Sequence, residues 1–266
     1  MRVNILKIRK LAMSITLFLC ICFVGIHLHA ADVSAATRSS YIEYKDLSKA
    51  QKKACRKIMS AVKKKSTGRI EVKKVYKGSY KNIVKIINGL NNVYFELYQV
   101  PEFEYYPPWE YDPYWTVKGN AKKVRAVYKK NETAKKKAGA MYKKIRFSSA
   151  SKLSRARTIA KYVVMHSSYN VKKNHAYDLL TTGEGNCGAY AQLFRYLCRK
   201  DGIKSATIVN GFADGVGHSW NQIVFNGKTY YFDLSCYSGT GDPGYLGRTR
   251  LWSGYKKWKN ANFYEF

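Results

Sequence analysis

The chain of 266 residues is short of acid, of proline and of cysteine, and it holds one long apolar run. Its 17 Asp and Glu stand against 48 Lys and Arg, a formal net charge of +31. There is no Cys-x-x-Cys, no His-Glu-x-x-His and no His/Cys cluster at zinc spacing, so neither a metal nor a cofactor is expected. Beyond residue 35 the six cysteines fall to four: Cys55, Cys187, Cys198 and Cys236. If one of these is a free nucleophile, at most one disulfide remains, which excludes a disulfide scaffold. No internal repeat is apparent, and no nucleic-acid-binding motif accompanies the positive charge.

The long apolar run extends from Leu11 to Ile26, behind Arg2, Lys7, Arg9 and Lys10 and ahead of the small residues Val33-Ser34-Ala35. This order predicts a secretory signal peptide over residues 1–35, with an uncleaved anchor as the alternative because the run lies near the lower length for a membrane span. Those residues carry four basic side chains and Asp32, which leaves +28 on the remainder. Export argues against nucleic acid as the partner. Anionic cell-wall polymer or a membrane surface as the docking partner suits both leader and charge.

Residues 36–148 read as a basic, mainly helical region. From Leu47 to about Lys65, Ala50, Ala54, Ile58 and Ala61 recur at helical spacing between lysines and arginines, placing Cys55 on or beside the buried stripe. A second helix is expected within "YKNIVKIINGLNNVYFEL". Residues 93–115 are dense in aromatic side chains and hold four of the five prolines, at 101, 107, 108 and 113, which forbid a continuous helix. With Glu96, Glu102, Glu104, Glu110 and Asp112 among them, these aromatics are expected to pack as a rim on the following domain. A carbohydrate-stacking platform is the sharper alternative. Asn120 to Ile145 suits a strand followed by a helix. Ser151 then caps a helix whose stripe is Leu153, Ala156, Ile159, Ala160 and Val163, with His166 at its end.

Residues 149–266 carry the chemistry. "GEGNCGAYAQLF" places Asn186 as the N-cap of a helix that runs through Ala189, Ala191, Leu193, Phe194 and Leu197 to Asp201-Gly202. Cys187 then sits in the first turn, where backbone N–H groups and the helix dipole favour a thiolate. Cys198, roughly 16 Å further along the helix, cannot bond to it. A thiolate needs a base and a group that orients the base. "HSWNQIVFNGKTYYFDLS" supplies both, as two β-rich runs joined by Asn226-Gly227, a strong hairpin signal. With a two-residue turn Phe225 faces Lys228, His218 opposes Ser235 and Asp233 opposes Trp220. Period-two alternation then puts His218 and Asp233 on one face as diagonal neighbours.

At these residues the sequence resembles the transglutaminase-like superfamily of papain-like thiol enzymes, over about Ser151 to Tyr237. The Gly-x-Cys helix start, the helix-ending Asp-Gly-Ile, the His-x-Trp-Asn strand and the aromatic-rich Asp strand follow the family's order and spacing. The preceding "YDPYW" and basic helices resemble the leader region of secreted bacterial members. The resemblance implies an α+β fold, with a nucleophile helix packed on an antiparallel sheet and the mainly helical region in front of it. It implies Cys187 as nucleophile, His218 as general base and acid, and Asp233 as its orienter, with Trp220, Asn221, Asn186 and Gly188 shaping the site. It further implies a protein or peptide substrate and a thioester formed from its peptide or carboxamide carbonyl, released by water in a peptidase or amidase and by an amine in a crosslinking enzyme. The competing expectation is a non-catalytic module of the same fold that binds the cell wall. Asn186 before the cysteine and Leu234-Ser235-Cys236 after the aspartate depart from the usual family residues.

Overall fold

In a computed structural model of the chain, residues 44–99 and 101–257 are described. The leader and anchor expectations concern residues 1–35, outside this range, and no described helix is long and apolar enough to cross a membrane.

Helix α1 (Lys49–Lys64) begins at a capping box: Ser48 Oγ accepts from Gln51 N at 3.2 Å while Gln51 Oε1 accepts from Ser48 N at 2.9 Å. Its apolar stripe, with Cys55 in it, packs with Ile83, Ile86 and Leu90 of α2 (Tyr80–Tyr94) into one core. Under them lies a three-stranded antiparallel sheet in the order β1 (Arg69–Lys77), β3 (Tyr114–Asn120), β2 (Glu104–Tyr106). This sheet adds to the helices expected here. The aromatic, proline-rich segment builds two of its strands because the prolines at 101, 107, 108 and 113 fall outside them, while Trp115 and Val117 alternate into the core. Tyr94, Phe95, Phe103, Tyr105 and Trp115 of this segment therefore pack within the N-terminal core, Tyr105 and Trp115 tilted or edge-on to each other and to Tyr80, and not as a rim on the next domain. Among its described residues, Glu96 to Tyr98 reach across, Tyr98 lying edge-on to Tyr177 at 5.1 Å. Trp109 and Tyr111 stay exposed.

The strand expected after Asn120 is instead the start of helix α3 (Ala121–Lys144). Asn120 Oδ1 accepts from Lys123 N at 3.0 Å, and the Ala- and Lys-rich run behind this cap favours helix throughout. Its 24 residues extend about 36 Å. Ala121 and Val124 lie in the N-terminal core and Ala134 and Ala138 in the second, so one helix belongs to both.

The second core forms around α4 (Lys152–Met165), α5 (Ala176–Thr182) and α6 (Cys187–Lys200). A short parallel pair, β4 (Ser168–Tyr169) and β5 (Glu184–Gly185), leads into α6. The antiparallel sheet has the order β10 (Tyr255–Lys257), β6 (Thr207–Ala213), β7 (Val216–Phe225), β8 (Lys228–Phe232), β9 (Leu246–Arg248). Leu193, Phe194, Leu197 and Cys198 of α6 share this core with Ile223 and Phe232 of the sheet, so the helix that begins at Cys187 packs on the sheet as expected. The β7–β8 turn has Phe225 opposite Lys228, with Asn226 and Gly227 at φ of 47° and 73°, the left-handed pair that a two-residue hairpin needs. Between β8 and β9 the chain forms a short helix α7 (Leu234–Thr240).

Candidate active site

Cys187 is the first residue of α6 and is half-buried. The approach to it is fastened by one side chain: Asn186 Oδ1 accepts from Ala189 N at 3.1 Å and its Nδ2 donates to Asn174 Oδ1 at 2.9 Å, while Asn186 N donates to Lys173 O at 2.8 Å. Gly185 permits the close packing here, since a Cβ on it would stand 2.6 Å from Leu179 Cδ1 and 2.8 Å from Ala189 Cβ. A Cβ on Gly188 would meet Asn186 Oδ1 at 3.3 Å, so its side-chain position is held open beside the cap.

His218 lies on β7 opposite Gly211 of β6, and its Nε2 is 2.6 Å from Asp233 Oδ2. The two meet, but not as neighbours across a strand pair. The hairpin register holds through Asn221 opposite Phe232 and then ends, and Asp233 becomes the N-cap of α7. Asp233 therefore does not oppose Trp220, nor Ser235 His218. The reason is local: Asp233 Oδ1 accepts from Cys236 N at 3.0 Å and Ser235 Oγ at 2.8 Å, an N-cap arrangement that competes with continued pairing. Oδ2 is left for His218 and for Tyr255, whose Oη donates to it at 2.8 Å.

Charge follows from these contacts. Burial alone would push the Asp233 carboxyl up, but the hydrogen bonds and charge of His218, with the donors Cys236 N and Ser235 Oγ, hold it below its ordinary 3.8. Burial alone would push His218 down, yet hydrogen bonds to Asp233, Cys187 and Cys236 hold it well above 6.5. Both shifts favour imidazolium beside carboxylate. Because Nε2 serves Asp233, Nδ1 is the ring nitrogen left for Cys187, whose side chain is among the groups that raise His218. Three elements thus bring together the three residues singled out in sequence.

The flanking residues divide. Trp220 is buried, with its ring 6.2 Å from that of His218 and 5.3 Å from that of Tyr255, so it walls the imidazole. Its indole N–H has no partner among the described residues. Asn221 instead donates from Nδ2 to Ala191 O at 3.0 Å and Thr207 O at 3.2 Å, fastening α6 to the sheet. The remaining thiols differ sharply. Burial pushes Cys55 up to about 12 and raises Cys198 well above the ordinary thiol range. Half-buried Cys236 stands with Sγ 4.0 Å from His218 Nε2 and 3.2 Å from Tyr255 Oη.

Sequence reasoning missed two tyrosines. Tyr169 of β4, its side chain about half exposed, lies near enough to Cys187, His218, Cys236 and Asp233 to feel their charge; partial desolvation, then the nearby Cys187, push its phenol up to about 12. Tyr255 arrives on β10, 22 residues beyond Asp233, and only the Ser253-Gly254 turn signal before a short strand announces it. For a metal, the donors of His218, Asp233 and Cys236 lie within 4.8 Å of one another. His218 and Asp233 are at hydrogen-bond spacing, whereas two donors sharing a zinc at ~2.0–2.1 Å stand about 3.3 Å apart, so an ion there would have to open that bond.

Residues 139–233 match the family model described as "Transglutaminase-like superfamily". The kyphoscoliosis peptidase of Mus musculus is 31% identical over 112 residues, 35% of this chain and 17% of that protein, so the match spans less than a fifth of this curated relative. Among solved structures, a "Putative Cysteine Protease" from Cytophaga hutchinsonii is 20% identical with a TM-score of 0.36, covering 47% of this chain and 41% of that one. A TGase is 12% identical with a TM-score of 0.38, covering 71% and 54%.

Proposed function

We propose, from the premise that residues 139–233 form a transglutaminase-like domain, that this chain is a thiol enzyme whose Cys187 attacks a peptide or carboxamide carbonyl. The observation that carries the reading is the convergence of Cys187, His218 and Asp233, with both shifted groups poised in their charged forms. In this reading the sulfur, as thiolate beside the imidazolium, adds to the carbonyl carbon. The first-turn N–H of Cys187, which has no intrahelical acceptor, faces the developing oxyanion. His218 then gives its proton to the departing amine, leaving a thioester. Water, deprotonated by the neutral imidazole, releases an acid; an amine in its place gives a new amide and makes the reaction a crosslink. Asp233 stays ionised throughout. It holds the ring in one tautomer and one plane.

The N-terminal apolar run and the positive charge support action at an anionic surface outside the cytoplasm. The exposed Trp109 and Tyr111 favour a second reading, in which the fold serves as a wall-binding module. Iodoacetamide labelling at pH 6 followed by peptide mapping separates the two. In a thiol enzyme Cys187 is alkylated at least tenfold faster than the equally half-buried Cys236, while burial silences Cys55 and Cys198, and His218→Ala removes the lead of Cys187 over Cys236. Equal, slow labelling of Cys187 and Cys236 would sink the enzyme reading. A glutamine peptide offered with and without a fluorescent primary amine then reports whether water or amine completes the turnover.

A further inference from the structure

We propose that Tyr255 is a positioning residue of this site: its phenol, carried on a strand beyond the transglutaminase-like segment, holds the Asp233 carboxylate toward His218. This deepens the reading of Cys187, His218 and Asp233 given above. Tyr255 Oη donates to Asp233 Oδ2 at 2.8 Å, the oxygen that also faces His218 Nε2 at 2.6 Å. Ser235 Oγ and Cys236 N occupy Oδ1, so each carboxylate oxygen has two partners and rotating the group would strain all four contacts.

A phenol has one proton. Given to Asp233, it leaves the Tyr255 oxygen to accept from Cys236 Sγ at 3.2 Å, which accounts for the second thiol beside the site. Burial, then the Asp233 charge, push the Tyr255 phenol upward and keep it a donor. Its ring is fixed independently of that bond, edge-on to His218 at 5.7 Å and against Trp220 at 5.3 Å and Trp252 at 4.9 Å. The strand is fixed too, with Tyr255 opposite Ala213 on β6. A neutral donor to a charged acceptor in a buried place is among the stronger hydrogen bonds. The family match ends at Asp233, so the segment that reads as the domain lacks one of the groups that set its own carboxylate.

Among the described residues, the titratable groups around the Asp233–His218 pair are Cys236 from α7, Tyr255 from β10, Tyr245 from the turn before β9 and Tyr169 from β4, with Cys187 from α6 on the His218 side. The test is a carbon NMR titration of the Asp233 side-chain carboxyl in the full chain, assigned through Asp233→Asn. Tyr255→Phe keeps the ring packing and deletes the donor, and the Asp233 midpoint should rise by about half to one pH unit. Site-specific difluorotyrosine at 255, a stronger donor of the same shape, should lower it, and it supplies the answer if the Phe variant folds poorly. Midpoints unmoved by both replacements overturn the proposal, since a purely structural tyrosine changes melting temperature alone. Iodoacetamide labelling of Cys187 on the same samples reports the enzyme reading separately. An inert wild-type Cys187 would defeat that reading while the titration still decides the role of Tyr255.

Discussion

His218 and Asp233 shift in opposite directions chiefly because each is the other's partner, Asp233 buried and His218 largely so. Their contributions to stability have opposite pH signs. Asp233, held below 3.8, stabilises the fold above that value and loses this as pH falls through its folded value. His218, held above 6.5, stabilises fully below 6.5 and loses this as pH rises toward its folded value. The pair therefore helps most between those ordinary values. Asp233→Asn, which keeps the cap but not the charge, should cost about 3 kcal/mol near pH 5 and less at pH 3 and pH 9, read from thermal unfolding at the three pH values. A cost that does not vary with pH would mean the pair is not ionised. Cys187, His218 and Asp233 were legible because each is a reactive residue type in a recognisable local setting, a helix start, a strand start and a strand end. Tyr255 was not, because a tyrosine in a chain with 23 of them carries no signal until the topology brings it to a carboxylate.

At the scale of elements, hairpin register was legible as far as the hydrogen-bond ladder runs. Asn226-Gly227 sets the turn, and Phe225 and Lys228 set every pair down to Asn221 and Phe232. What followed was not, since Leu234–Thr240 is too short for helical periodicity to show, and the capping strength of Asp233 decided between strand and helix. The same limit hid β10, three residues long, although one position on its neighbour marks it. A Cβ on Gly211 would stand 2.1 Å from Lys256 O and 2.7 Å from Trp220 Cη2, so glycine there is what allows the edge strand to lie against β6 beside the imidazole. Gly211→Ala should detach β10, destabilise by about 1–3 kcal/mol and expose Arg250 and Lys256 to trypsin. Limited proteolysis with mass mapping checks this. Cleavage confined to other sites would show that β10 tolerates the methyl group.

Across the whole molecule, two cores share helix α3, and the N-terminal region reaches α6 through a buried charge. Glu96 lies 3.8 Å from Arg195 Nη2 on α6 and 4.0 Å from Lys135 Nζ on α3. Exposed carboxylates pair with the basic surface at little gain, as in Arg69–Glu104. Glu96 differs because burial raises its carboxyl above 4.5 even against the lowering effect of Arg195, Lys135 and Arg199. Such a charge depends on its partner. Arg195→Met should therefore cost about 3 kcal/mol at neutral pH, and much less in a Glu96→Gln background, where no carboxylate is left stranded. The sign of the pH dependence separates this from lost packing. With Arg195 gone Glu96 protonates still more readily, so its penalty should fade as pH drops toward 4.5, where the unfolded chain also takes up the proton. Urea unfolding of the four proteins in the cycle at pH 7 and pH 4.5 measures both. A coupling below about 0.5 kcal/mol, or one that does not change with pH, would mean that the N-terminal region is joined to the nucleophile helix by packing alone.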